Sequence, residues 1–456
     1  MSPGRPTSFT PSATSTSATS RPTNEIPAGS SHLGALVGYL ENLANGIADG
    51  HFNAFDLVMH GDVFDFWTSI PDPLDDGATF PMHTTADYMK RFEEILDNPA
   101  HKAVWNAMAR ILWAWDDANG RHLEAGASIY ILAGNHDDPI SFEIGAALAR
   151  KMIFERIVAE ETKRRGTVEA ESRSWMLPRF HVGATNYANG FLGTHIEHGH
   201  FLDHHNLRRL DGAMQHIAQG QIIVEDFLNG CHDLNLKSIK YFWERTYAAG
   251  GAATGTLQGA MSLINNFSQN AHGKLFVEKV AEAAQIPEVG EALRRQTLLT
   301  LWNAGDELRS AVSTAEMPLI GRLAEEVYKV LYREDKKPEQ RARAQSIFGS
   351  AIPFSPNSMP DRNRPCKIVV MGHTHNEDFH PAPQTSAVDN QFVNTSTWIE
   401  ARVIDPPFDQ NLLRPRVQNA KFPVKIWIDP AQPQYYSVEA REYGGPLVYR
   451  NLVRTT

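Results

Sequence analysis

Four short segments of this sequence set carboxylate, amide and imidazole groups around a glycine: HGDVFD at 60–65, GNHD at 134–137, HGH at 198–200 and GHTH at 372–375. Taken singly, each is ordinary turn chemistry, because Gly-Asp and Gly-His pairs are common in turns. Taken together they share one design, since each comes directly after an apolar run of strand length. In open α/β sheets the loops at the carboxyl ends of strands converge on the ligand site. The chemistry open to such a cluster is that of oxygen and nitrogen donors. Cys231 and Cys366 are the only thiols, too few for a thiolate site, so any metal must be held by nitrogen and oxygen.

The elements that must present these groups are legible as alternating patterns. Leu33, Leu36, Val37, Leu40, Leu43 and Ile47 have helical spacing, and residues 55–59 then form an apolar strand running into Gly61 and Asp62. A second unit repeats the scheme, with a helical stripe at Val104, Met108, Ile111, Leu112 and Trp115 and a strand at 128–133. Strands at 179–183, 191–197 and 367–371 follow, the last two leading into HGH and GHTH. Residues 424–428 and 435–441 alternate as strands do and should complete a sheet. Alternation of this kind predicts an α/β core.

Between the third and fourth motifs, residues 203–360 read as an inserted helical cap, with stripes such as Leu319, Leu323, Val327 and Val330. Residues 1–31 are rich in Ser, Thr and Pro, with Glu25 the only acidic residue, and are expected to be a disordered tail. Their acid-poor, Ser-rich character resembles an organelle-targeting segment, but Pro3, Pro6, Pro11 and Pro22 disrupt the amphipathic helix such a segment uses. The core is then 32–202 with 361–456. A chain of 456 residues, 42% of them hydrophobic, has ample material for a buried core. Its net charge of −10 speaks against a general nucleic-acid partner. No apolar run reaches the length of a membrane span, and a cytoplasmic location is the expectation.

The order GDxxD, GNHD, HGH, GHTH resembles the calcineurin-like metallophosphoesterases, and NTSTW at 394–398 stands where that family often has a similar strand. The resemblance covers roughly residues 50–205 and 365–400. It implies a four-layer α/β/β/α sandwich of two mixed sheets, with the helical cap inserted. It also implies a pair of divalent ions sharing a carboxylate and a hydroxide. Residue by residue, Asp62 would be the bridging carboxylate. Asn135, His198 and His373 would complete one metal's shell, and His375 would serve the other. Such a mixed shell suits Mn or Fe, and also Zn, better than Ca or Mg. His136 would protonate or stabilise the leaving oxygen, and Asp137 would either orient that imidazole or cap the following helix. His195, His200, His204 and His205 crowd His198 as competing ligands. Phe66 and Trp67 read either as core or as a surface for a substrate ring. Asp65 reads as a support residue.

The implied activity is hydrolysis of a phosphomonoester, phosphodiester or pyrophosphate by a metal-bound hydroxide, on a small phosphorylated substrate. GDVFDFW at 61–67 is similar to the matching stretch of the UDP-diacylglucosamine pyrophosphatases, which would make that substrate lipid-linked; those enzymes have Arg where His136 stands. The family's first motif, Asp-x-His, is missing: no Asp precedes Asp49, and Ser30-Ser31-His32 keeps only the imidazole. The first metal site is therefore complete and the second lacks two ligands. Three readings account for this: an unrelated leader in place of the true start, a one-metal or weakly two-metal enzyme, or a relative that binds phosphorylated ligands without cleaving them.

Overall fold

The computed structural model describes residues 8–12, 31–49, 55–64, 66, 85–99, 101–119, 127–141, 143–167, 170–202, 209–211, 214–216, 337–352, 365–374, 378–395, 401–403, 416–418, 423–441 and 447–456. They form a mixed α/β structure with several sheets. The first half contains β1 (Ser8–Ser12), α1 (Ser31–Ala48), β2 (Phe55–His60), α2 (Thr85–Asp97), α3 (Lys102–Asn119) and β3 (Ala127–Leu132). After a short 3-10 segment (Asn135–Ile140) come α4 (Glu143–Arg165), α5 (Ala170–Met176), β4 (Phe180–Ala184), β5 (Asn186–Asn189) and β6 (Thr194–Glu197). A hairpin of β7 (Arg209–Asp211) and β8 (Met214–His216) follows, and then α6 (Lys337–Ile347), β9 (Ile368–Met371), β10 (Asp378–His380) and β11 (Gln391–Asn394). The chain continues with the pair β12 (Ala401–Val403) and β13 (Arg416–Gln418), then β14 (Val424–Ile428), β15 (Tyr435–Arg441) and β16 (Leu447–Arg454).

Seven strands make one sheet in the order β16-β15-β14-β1-β2-β3-β4, and five make another in the order β10-β11-β9-β6-β5. Both sheets are mixed. β1, β2, β3 and β4 run parallel to one another, while β14, β15 and β16 join antiparallel. In the smaller sheet the parallel strands are β6, β9 and β11.

Burial follows from the patterns in the sequence. A central parallel strand is covered on both faces and reads as a continuous apolar run; β2 and β3 are buried at every position. Antiparallel β14 alternates instead, with Val424, Ile426 and Ile428 inward and Lys425 outward. The stripes of α1 and α3 pack with Phe55, Leu57, Met59, Ile129 and Ile131 on one face of the larger sheet. On its other face, Val58, Leu132, Ile426 and Val438 meet Ile196, Ile368, Val370 and Val393 of the smaller sheet. Ala344 and Ile347 of α6 pack with Val369, Met371 and Phe392. Phe66 belongs to the core, stacked on Phe92 with ring centroids 5.7 Å apart.

Two regions depart from the sequence reading. Residues 8–12, expected within a disordered tail, form β1, which sits between β14 and β2 with Ser8 opposite both Trp427 and Phe55. The run carries Phe9 as its single large apolar residue and is punctuated by Pro11, so neither a strand period nor an apolar block marks it. α6, expected inside the helical cap, packs directly on the smaller sheet, and the hairpin β7-β8 stands where helical periodicity was expected. The stripe at Leu319–Val330 and the thiol of Cys231 lie outside the described residues. Among the described residues no helix is long and apolar enough to cross a membrane.

Candidate metal centre

Two pairs of neighbouring parallel strands, one pair from each sheet, point their carboxyl ends at the same place. Asp62 follows β2 and Asn135 follows β3; His198 follows β6 and His373 follows β9. Adjacent strands lie roughly 5 Å apart, so loops that leave a parallel pair at the same level put their side chains within ligand reach of one another. The loops of the smaller sheet are also stapled by backbone: the carbonyl of His198 accepts the N–H groups of Gly372 and His373 at 3.1 and 3.0 Å.

The turn at Gly61 and Asp62 requires unusual backbone. Gly61 has φ +91°, and Asp62 is the single non-glycine residue at positive φ among the described residues, at +51°. Asp tolerates the left-handed region better than most residues, but holding it there costs on the order of 1 kcal/mol and needs outside support. Asp137 supplies it. Its Oδ2 accepts from Val63 N at 2.7 Å and its Oδ1 from Phe64 N at 2.9 Å. Both oxygens of the residue expected to orient His136 or to cap a helix are thus engaged by the Asp62 loop. Burial and the nearby Asp62 charge push the Asp137 carboxyl up to about 7.

Asp62 Oδ1 accepts the backbone N–H of His136 at 2.9 Å, and Oδ2 lies 3.0 Å from His198 Nε2. Burial opposes the charge on Asp62, yet the attraction of His198, His136 and His373 outweighs it and holds the carboxyl well below its ordinary value. His198 Nδ1 donates to the His60 carbonyl at 3.0 Å, which turns Nε2 inward. That nitrogen faces Asp62 Oδ2, Asn135 Oδ1 at 3.0 Å and His373 Nδ1 at 3.3 Å. One nitrogen carries at most one proton, which cannot serve two oxygens and another ring nitrogen.

This shortage of protons is what a cation relieves. The ligand atoms of Asp62, His198 and His373, all three buried, lie within 4.8 Å of one another and form a triad able to hold a metal ion. Asn135 fits the same picture, because its Oδ1 turns into the cluster while its Nδ2 is buried without a hydrogen-bond partner. Two glycines keep the space: a Cβ on Gly134 would stand 2.2 Å from Asp62 Oδ1, and one on Gly61 2.4 Å from His198 Nδ1. The donor set of carboxylate, amide and imidazole suits a divalent transition metal.

No protein-family model matches the chain, and no curated protein matches it significantly. The arrangement therefore stands on its own geometry.

Asp62, Asn135, His198 and His373 are brought together, and His136 is half-buried beside them. His375, Asp65 and Trp67 lie outside the described residues, as do Ser396 to Trp398 of the NTSTW segment. Of the competing imidazoles, His200 is buried with its ring centroid 5.3 Å from that of His198, whereas His195 pairs with Glu197 at 2.9 Å. His204 and His205 are outside the described residues. The sequence reading placed His60 as the first residue of HGDVFD but assigned it no role. This last residue of β2 is buried, its carbonyl aims His198, and its Nε2 lies 2.9 Å from Thr395 Oγ1. Burial and the proximity of His198 push its pKa down to about 3, so it is a neutral ring beneath the site. Its place at the end of an apolar run was the available signal.

Proposed function

We propose that this chain is a metal-dependent hydrolase of phosphoric esters, built as a four-layer α/β/β/α sandwich with an insertion between β6 and β9. The observation that carries the reading is the convergence of Asp62, Asn135, His198 and His373 from the carboxyl ends of two parallel strand pairs. Those four residues would hold the ion, with Mn or Fe favoured by the mixed shell and Zn next. When bound, a divalent ion supplies positive charge to phosphoryl oxygens and makes water a stronger nucleophile. The protein's own part is positional. Asp137 fixes the backbone that follows Asp62, the His136 N–H fixes the Asp62 carboxylate, and the His60 carbonyl fixes the His198 ring. The His136 imidazole, on the loop whose backbone binds Asp62, would hand a proton to the leaving oxygen. The test is turnover of an aryl phosphate monoester or diester with Mn or Fe, lost in Asp62→Asn and His373→Ala. Absence of turnover with any divalent metal overturns the proposal.

A second reading, a relative that binds metal and phosphate without cleavage, is favoured by one observation. The residues after β1, Ala13 to Thr16, include neither carboxylate nor imidazole, so the strand beside β2 is followed by no ligand of the kind the resemblance implies. This reading expects at most one ion per chain and stabilisation by phosphate without turnover. Two ions per chain by elemental analysis would count decisively against it.

A further inference from the structure

One side chain of α6 lies against the His198 loop of the metal centre and reaches the His373 loop through Asn394. Gln340 is buried, and its Oε1 accepts from Asn394 Nδ2 at 2.8 Å. The same Nδ2 donates at 2.8 Å to Thr374 Oγ1, on the residue that follows His373. A primary amide carries two hydrogens fixed in one plane, so Asn394 divides them between the helix and the His373 loop. Without the acceptor on the helix, that plane can turn and the bond to Thr374 loses its direction.

The other end of the Gln340 amide reaches the second loop. A Cβ built on Gly199 would stand 3.2 Å from Gln340 Nε2, so the amide lies against the glycine between His198 and His200. Nε2 is buried there without a hydrogen-bond partner. A position that only needed filling would be occupied at lower cost by an apolar side chain, since a buried donor left unmade is unfavourable. The neighbouring arginines fasten the helix at other points, Arg341 to Asp378 and Arg343 to Glu197.

We infer that Gln340 is a positioning residue for the metal centre: it holds the His198 and His373 loops in fixed relation so that their ring nitrogens meet Asp62. The inference rests on the metal-binding reading above. Co2+ is the probe, because its visible absorption reports the number and kind of its ligands. The full chain is titrated with Co2+, with circular dichroism as the check on folding. Gln340→Met keeps the volume and removes the amide, and Thr374→Val cuts the relay on the loop side. Each is expected to weaken Co2+ binding roughly ten- to a hundred-fold and to alter its spectrum. Gln340→Glu retains the acceptor for Asn394 and is expected to restore most of the affinity. Arg341→Met removes an ion pair of the same helix and is expected to leave Co2+ binding unchanged. Wild-type affinity in a folded Gln340→Met chain, or an equal loss in Arg341→Met, overturns the role of Gln340 while the metal reading stands. If Gln340→Met does not fold, wild-type affinity in Thr374→Val overturns it instead. A wild-type chain that takes up no Co2+ fails the metal reading itself.

Discussion

Asp137 accepts the backbone N–H groups of Val63 and Phe64, so the carboxylate of one metal-site motif fixes the turn of another. The two loops leave adjacent parallel strands, and this cross-loop bond is what holds Asp62 in its left-handed conformation. Asp137→Asn should therefore act at a distance. An amide would turn a donor toward one of the N–H groups that Asp137 now accepts, leaving it unmet at a cost of about 1–3 kcal/mol. Urea unfolding should show that loss, and metal titration should show weaker binding in the variant than in the wild type.

Gly134→Ala tests the space beside Asp62. Its Cβ would stand 2.2 Å from Asp62 Oδ1 and 2.4 Å from Asp62 N, so the carboxylate turn must move. Overpacking of this kind costs about 1–3 kcal/mol, and metal affinity should fall with it. Gly34→Ala on α1 has nothing within 4 Å of the new Cβ. It should instead stabilise by about 0.5–1 kcal/mol. Equal behaviour of the two variants in denaturant and metal titrations would contradict this account.

Metal should act as a structural ligand whatever the turnover. Binding to the folded chain alone stabilises by about 2.7 kcal/mol at a hundred times the dissociation constant. Scanning calorimetry should show Tm rising with added Mn2+ and falling again with a chelator. Asp62→Asn should not respond, and a full response in that variant would place the ion elsewhere.

His181 gives an acid-side prediction away from the metal. Burial, with Arg150 and Arg179 nearby, lowers its pKa from 6.5 to about 4. The folded chain resists a proton that the unfolded chain accepts, so the unfolded state binds more protons between those values. Stability is fully present above about pH 6.5, declines as pH falls toward about 4, and levels off below. His181→Phe keeps a ring beside Tyr130, which now stacks on His181 at 4.4 Å, and removes this share of the decline. Urea midpoints measured across the window should fall less in the variant; an unchanged slope would rule His181 out as a contributor.

β2, β3 and β9 were legible as mostly apolar runs with the motifs directly after them, whereas β6, expected over 191–197, spans only Thr194–Glu197, with Ile196 its single aliphatic residue. Residues 424–428 and 435–441 were read at the bounds the structure gives, since antiparallel alternation marks its own ends. The four residues Asp62, Asn135, His198 and His373 were legible as types, but their supports were not. His60 passes as the end of a strand, and Gln340 as a polar residue of an ordinary helix. Each acts through a partner far off in the sequence, His198 and Asn394 respectively, and no local period encodes such pairs. β1 was illegible for a related reason: its place comes from the strands on either side of it.

That placement of β1 bears on how the molecule assembles. Its two neighbours in the sheet are β2, close by in sequence, and β14, which is made only after the insertion and the whole smaller sheet. Strand pairing across so long a stretch is slow. Until β14 exists, β1 has an open edge, and during synthesis the half-sheet of β1 to β4 presents that edge to other chains. Expression at low temperature or with chaperones should therefore raise the yield of folded protein, because the hazard lies in the interval before the last three strands arrive.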